Sequence, residues 1–384
     1  MFSRRSGDDT DQNALTYALV QRRKRGEEVL DLTESNPTHA GIRYDREAIL
    51  GALSREESLV YDPAPLGLRV AREAVASTYG VHPDSVVITA STSEAYSFLF
   101  KLLCDPGDEL LAPRPSYPLF EHLALLEGVT LRSYRLAYDG AWHVDVPSLR
   151  RAQRERCCAV LAVSPNNPTG SLLRLPELRA MEDLGLPVVC DEVFASYMHI
   201  DPVSADAVRC AAKAAGHGLV VSLGGLSKLA GLPQLKVAWM ILGGHPAKVS
   251  EARRRLEGIA DAFLSVSAPV QHALPRLLET RSVAEDRILE RARRNLAMAR
   301  DLTAGTAVSV LHVEAGWYAT LRVPKLASEE ELALALLADG VLVHPGYFFD
   351  FEEEAHLIVS LLTPEASFDE GMKRILARCS PPTG

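Results

Sequence analysis

The sequence predicts an α/β protein built on a largely parallel sheet, and three observations carry that prediction. Short apolar runs alternate with longer helical patterns through the middle of the chain. Several runs are apolar on successive residues, as strands covered on both faces must be. At 384 residues the chain exceeds one small core and suggests two or three domains.

The runs Val86–Ile88, Glu109–Ala112, Ala159–Val163, Pro187–Cys190 and Leu219–Leu223 read as strands. Between the first two, residues Ser93 to Leu103 set Ala95, Phe98, Leu99, Leu102 and Leu103 on one helical stripe. Asp105-Pro106-Gly107-Asp108 then stops that helix. From Pro275 to Ala304 the periodicity predicts one long, charge-rich amphipathic helix that carries the chain into a second unit. Beyond it, strands are expected at Val308–Val313, Trp317–Val323, Val341–His344 and Leu357–Leu362. A helix opened by the Ser328-x-x-Glu331 capping box interrupts them, and a terminal helix from Phe368 to Arg378 follows. Strands and helices together there predict a smaller α+β unit, packed on the first because no low-complexity linker intervenes.

Composition narrows the function. Hydrophobic residues make up 47% of the chain, charged residues 24%, and the formal charge is −9. This is an ordinary acidic globular protein, for which nucleic acid is an unexpected partner. Residues Met1 to Asn13 lack the apolar core of a secretory signal, and no stretch approaches the ~20 apolar residues that cross a bilayer. A cytoplasmic location is expected, with no membrane span. The six cysteines, at positions 104, 157, 158, 190, 210 and 379, form no C-x-x-C pair and predict neither a zinc site nor a disulfide framework.

Ligands of α/β sheets bind beyond the carboxyl ends of the strands, so the residues that follow each run matter most. After Val86–Ile88 comes Thr89-Ala90-Ser91-Thr92-Ser93-Glu94, a hydroxyl-rich capping box at a helix start. Free amides and hydroxyls there suit a phosphate, although a well-capped helix accounts for the pattern alone. After Ala159–Val163 comes Ser164-Pro165-Asn166-Asn167-Pro168-Thr169-Gly170, and after Pro187–Cys190 comes Asp191-Glu192. An acid in that place either caps a helix or keeps a pyridine nitrogen protonated, which turns the ring into an electron sink. After Leu219–Leu223, Gly224-Gly225-Leu226-Ser227-Lys228 sets a lysine at the same sheet edge. Its amine would form a Schiff base if burial lowered its pKa from about 10.4.

Ser227-Lys228, Asn167-Pro168-Thr169-Gly170 and Asp191-Glu192 stand in the order and approximate spacing of the class I/II aminotransferases, which the chain resembles over nearly its whole length. Tyr61-x-x-x-x-x-Gly67-x-Arg69, Pro113-x-Pro115-x-Tyr117, Gly316-Trp317-Tyr318 and Pro345-Gly346 extend the likeness. Each motif is weak, and their ordered conjunction is strong. The resemblance implies a fold-type I pyridoxal-phosphate enzyme with an N-terminal segment (1–45) joining the small domain, a large cofactor-binding domain (46–275) and a small C-terminal domain (276–384). It implies that Lys228 binds pyridoxal 5'-phosphate as a Schiff base and then shuttles the substrate proton. Asp191 would pair with the pyridinium, Asn167 with the ring oxygen, and Tyr117 would stack on the ring. Ser91, Thr92 and Ser93 would cradle the phosphate, and Tyr61 would reach it from the partner subunit of a homodimer. Transamination between an amino donor and a keto acid in a cytoplasmic, biosynthetic role is the leading expectation. Side-chain elimination by the same carbanion and a non-catalytic cofactor-sensing regulator are the alternatives; the regulator is disfavoured by the short stretch before Leu30.

Four positions depart from the family pattern. Phe194 replaces a tyrosine that donates to the ring oxygen, a role Tyr197 would have to assume. Gly225 replaces a phosphate-binding serine, with Ser222 or Ser227 as substitutes. Lys236 replaces an arginine, which keeps charge and loses bidentate geometry. Ile358 occupies the place of the arginine that clamps the substrate carboxylate, leaving Arg322, His344 or His356 as the available cations.

Overall fold

The computed structural model describes residues 2–6, 13–200 and 202–379, so most of the polar N-terminus lies outside the described residues. Its centre is an eight-stranded sheet of Val86–Thr89 (β1), Glu109–Arg114 (β2), Thr130–Tyr138 (β3), Trp142–Val144 (β4), Cys157–Val163 (β5), Val188–Asp191 (β6), Leu219–Gly225 (β7) and Ala238–Gly244 (β8). The spatial order is β1-β8-β7-β6-β5-β2-β3-β4. Strands β7, β6, β5, β2 and β3 run parallel in succession, while β8 is antiparallel to both its neighbours and β4 turns back along β3.

The five expected strands all form, and β6 and β7 are buried almost throughout, consistent with their unbroken apolar runs. The helix Thr92–Leu103 is capped by Ser91, whose side chain accepts from the Glu94 amide at 3.1 Å. The Glu94 carboxylate reaches back to the Ala90 amide (2.7 Å) rather than to the cap residue. Ala95, Phe98 and Leu99 are buried as the stripe predicts, and Tyr96 and Phe100 are buried with them because the helix lies between the sheet and a second helix layer.

The C-terminal region departs from expectation in detail. The stretch read as one helix is two, Ala268–Glu279 and Ser282–Thr303, with a break at Thr280-Arg281. Pro275 sits inside the first of them. The expected strand Val308–Val313 shortens to Ser309–Val310. Val341–His344 divides, because Val341–Leu342 pairs with Leu30–Asp31 in a two-stranded ribbon, whereas His344–Pro345 joins the C-terminal sheet. That four-stranded sheet is completed by Tyr318–Arg322 and His356–Ser360. The capping box of Ser328 and Glu331 forms as expected, and the terminal helix spans Glu365–Cys379.

A seam joins the two layers. Gly170 offers its carbonyl to the amides of Glu314 (3.2 Å) and Ala315 (3.0 Å), and Tyr197 offers its carbonyl to the Gly316 amide (2.8 Å). Glu314 returns its carbonyl to the His199 amide (2.8 Å), accepts the Leu172 amide on its side chain (3.1 Å) and pairs with Arg174. Gly170 has φ +70°, and a Cβ there would lie 2.6 Å from the Ala315 carbonyl oxygen, so the backbones can meet only at a glycine.

One cysteine reading is overturned. Cys104, just past the helix Thr92–Leu103, is disulfide-bonded to Cys158 in β5, with Cα atoms 5.7 Å apart. The two are 54 residues apart in sequence and meet only because the helix packs across the sheet, so no spacing motif marks them. No helix among the described residues is long and apolar enough to cross a membrane.

Candidate active site

Four neighbouring strands each deliver one side chain beyond their carboxyl ends. Strand β7 leads into the short helix Leu226–Leu229 that carries Lys228, β6 ends on Asp191, β5 leads to Asn167, and β2 leads to Tyr117. At the far side, β1 leads through Ser91 into the helix that carries Thr92 and Ser93. The sheet order therefore gathers residues from positions 91 to 228 of the chain along one edge.

Asp191 is held on both carboxylate oxygens. Its Oδ2 accepts from the Tyr96 hydroxyl at 3.0 Å, and its Oδ1 accepts the Val193 amide at 3.1 Å. Burial pushes its carboxyl up to about 6, and the two hydrogen bonds and the charge of Lys228 draw it only part of the way back. In Lys228, desolvation pulls the amine down to about 8, with the Asp191 charge opposing. Its Nζ lies 5.0 Å from the ring centre of Trp317 and 5.6 Å from that of Phe194, so aromatic faces stand where water would otherwise solvate the ammonium. An amine so held is neutral in an appreciable fraction near neutral pH, as a nucleophile must be.

The side-chain oxygen of Asn167 is buried without a hydrogen-bond partner among the described residues, an arrangement that costs free energy unless a ligand group reaches it. Tyr117 is 44% exposed, and its phenol is raised by burial and by the charge of Asp191. Ser91 spends its hydroxyl on the helix cap, whereas those of Thr92 and Ser93 have no partner among the described residues. Ser227 is likewise uncommitted on the lysine's own helix.

Two substitutes expected from sequence are engaged elsewhere. Ser222 is buried and accepts the Ala212 amide at 2.9 Å, because it pairs with Cys190 and so faces away from Asp191, which pairs with Leu223. A Cβ at Gly225 would meet Ala238 Cβ at 3.2 Å, so a serine there would press on β8. Tyr197 donates to the Lys228 carbonyl at 2.5 Å and braces the lysine's backbone; that hydroxyl is not free for a ring oxygen. Lys236 is exposed at φ +50° with no ion-pair partner among the described residues, one residue before the Val237 carbonyl that accepts the Leu226 amide. Tyr61 is 81% exposed and lines a cavity with residues 62–65, 67–68 and 264–268, apart from the Asp191–Lys228 group within one chain.

Ile358 is fully buried in a cluster with Phe194, Tyr197, Trp317, Tyr318 and Phe349. His344 and Thr320 pair with it and share its face of the sheet, and burial lowers the His344 imidazole to about 4, leaving it uncharged. Arg322 and His356 pair with one another two residues further along the strands. Sequence reasoning missed Tyr96 and gave Trp317 no role. Tyr96 follows Thr92 by four residues on the same helix, a spacing that aims both toward one side.

The chain matches the family described as aminotransferase class I and II over residues 27–375. It is 28% identical over 244 residues to a probable aminotransferase of Arabidopsis thaliana, TAT1, covering 60% of this chain and 53% of that protein. To the alanine aminotransferase of Mycobacterium tuberculosis (strain H37Rv) it is 28% identical over 311 residues, 76% of this chain and 71% of the relative. The chain thus spans about half the length of the plant relatives it matches. In three dimensions it resembles the alanine aminotransferase from Pyrococcus furiosus, with a TM-score of 0.87, 22% identity and coverage of 98% of this chain and 99% of that one.

Proposed function

The chain belongs to the class I and II aminotransferases, and from that premise we propose that it transfers an amino group from an amino acid or related amine to a keto acid with pyridoxal 5'-phosphate. The observation that carries the reading is the desolvated Lys228 amine, on the helix that follows β7, together with the desolvated carboxylate of Asp191 at the end of the adjacent strand β6.

The residues present fit the cofactor. Among the described residues, the side-chain amide of Asn167 has no hydrogen-bond partner, Thr92 and Ser93 have free hydroxyls at a helix start, and Asp191 has a carboxylate with no cation other than Lys228 near it. Bound there, pyridoxal phosphate supplies an aldehyde that captures amines and a ring that takes up the electron pair left when a Cα–H bond breaks. Asp191 would hold a proton at the ring nitrogen, since burial disfavours its lone negative charge and a cationic partner would restore it. Tyr96 keeps that carboxylate oriented. Lys228 would remove the proton from the substrate carbon and return it. Trp317 and Phe194, with ring centres 5.0 and 5.6 Å from the lysine amine, would keep water from it.

The reading extends to a cytoplasmic homodimer divided as 1–45, 46–275 and 276–384. The exposed apolar run Leu59-Val60-Tyr61 supports a partner there, and pairing of Leu30–Asp31 with Val341–Leu342 supports an N-terminal segment that belongs with the C-terminal unit.

The test is the visible spectrum of purified protein with added pyridoxal phosphate, wild type beside Lys228→Ala, followed by a panel of amino acids. A protein-bound cofactor band present only in wild type, bleached by an amino acid with release of its keto acid, supports the reading. Release of ammonia with the band unchanged would make the enzyme a lyase, and equal spectra in both proteins would remove the enzymatic reading.

A further inference from the structure

The segment Gly346–Ala355 leaves the C-terminal sheet after His344–Pro345 and rejoins it at His356–Ser360. On the way it touches the large sheet three times. The Phe349 carbonyl accepts the Ser116 amide at 3.0 Å, Asp350 faces Arg114 at 3.5 Å, and Phe351 packs edge-on against Trp142 with ring centres 5.9 Å apart. The segment is therefore a strap between the two layers.

One side chain outside the strap holds both of its ends. Glu329 opens the helix Glu329–Ala338, and its buried carboxylate accepts the Tyr347 amide at 2.8 Å on one oxygen and the His356 amide at 2.7 Å on the other. Burial raises this carboxyl, and among the described residues backbone amides rather than a cation hold it. The backbone is shaped around that grip. A Cβ at Gly346 would lie 2.7 Å from the Glu329 Oε1, so glycine leaves room for the carboxylate. Ala355, next to His356, sits at φ +90°, a conformation that costs free energy in a residue with a side chain and persists only where the surroundings enforce it.

The far end of the strap meets a junction. Ser116 is buried, gives its amide to Phe349, and accepts the Asn166 side-chain amide on its hydroxyl at 3.4 Å. Tyr117 follows Ser116 in the chain, and Asn167 follows Asn166. The two side chains expected to meet the ring of pyridoxal phosphate thus hang from residues that the strap ties in place.

We propose that Glu329 is a positioning residue of the Lys228 cleft, acting through the strap and Ser116 on Tyr117 and Asn167. This role rests on the reading of the cleft as a pyridoxal-phosphate site, whereas the mechanical link from Glu329 to Ser116 does not.

The test compares the full-length protein with Glu329→Gln, which keeps the size of the side chain but turns an NH2 group toward one of the two backbone N–H groups. Hydrogen exchange without cofactor, read by mass spectrometry, is expected to quicken by at least about tenfold at Tyr347 or His356, the loss of one such contact. It should quicken also at Ser116, which Glu329 does not touch, while β7 exchanges as in the wild type. With pyridoxal phosphate added, the visible circular dichroism per bound cofactor should lose amplitude, because that signal follows the seating of the ring. Gly346→Ala, which presses a Cβ on the same carboxylate, should act in the same direction and serves if Glu329→Gln does not fold. Faster exchange that spares Ser116 in both variants would overturn the link, and unchanged dichroism with Ser116 quickened would overturn the positioning role. A wild-type protein that binds no pyridoxal phosphate would overturn the role together with the reading beneath it, and the exchange at Ser116 would still decide the link.

Discussion

The two ends of the Lys228 cleft are built on opposite principles. At the sheet edge, Asp191, Asn167, Thr92 and Ser93 present polar groups that are buried or uncommitted, each at the end of a strand or the start of a helix. Facing them, the wall around Ile358 is apolar: Phe194, Trp317, Tyr318 and Phe349 pack with it, and the nearest paired histidine is neutral. The first end suits a charged cofactor, and the second offers no guanidinium to a substrate carboxylate. Family membership therefore speaks to the reaction and leaves recognition to be read from this chain's own wall.

The sharpest way to break that contrast is Ile358→Arg. If the wall is as tightly packed as it stands, an unpaired guanidinium there destabilises the fold by about 3–5 kcal/mol, seen as a fall in the denaturant midpoint. Unchanged stability together with tighter binding of amino acids would mean that the wall is open and the contrast false.

Next in size, Asp191→Asn should lower kcat by about 100-fold or more while leaving the chain folded. It also carries a sign that stability measurements can read. The Asp191 carboxyl is raised to about 6 in the folded chain from an ordinary 3.8, so the folded state binds more protons between those values. The cofactor-free fold then loses stability as pH rises through that window and stays weakened above it. Without cofactor, Asp191→Asn should be the more stable protein at pH 7.5, by about 3 kcal/mol or less, with the difference gone below about pH 4. A stability difference that does not change with pH would show that the carboxyl is not desolvated.

The smallest effect belongs to Phe194→Tyr. A hydroxyl placed near Lys228 is expected to move the acid limb of the pH–rate profile downward by about one unit or less, about 1.4 kcal/mol, with little change in stability. No movement would indicate that the ring, edge-on to Trp317 at 5.2 Å, points its para position away from the lysine.

The strands and their terminal residues were legible because fully buried parallel strands are written as unbroken apolar runs, and the residues after them are polar by necessity. Lys228 and Asp191 came from that pattern, and Asn167 from the family resemblance. Strand β3 did not, since its burial is irregular and Arg132 and Arg135 interrupt it near the sheet edge. Register is also silent in sequence: Ser222 was one residue out of phase with Asp191, and only the pairing of β6 with β7 reveals which way its hydroxyl faces. The break at Thr280-Arg281 left no mark because the helices on either side are both amphipathic.

The seam at Gly170, Tyr197 and residues 314–316 has a mechanical meaning. It ties the layers by backbone hydrogen bonds beside Trp317, and a second tie, the Ser116 amide on the Phe349 carbonyl (3.0 Å), joins them beside Ile358. The apolar wall is thus pinned to the sheet edge at both of its ends, so a substrate meets a wall whose distance from Lys228 the backbone sets.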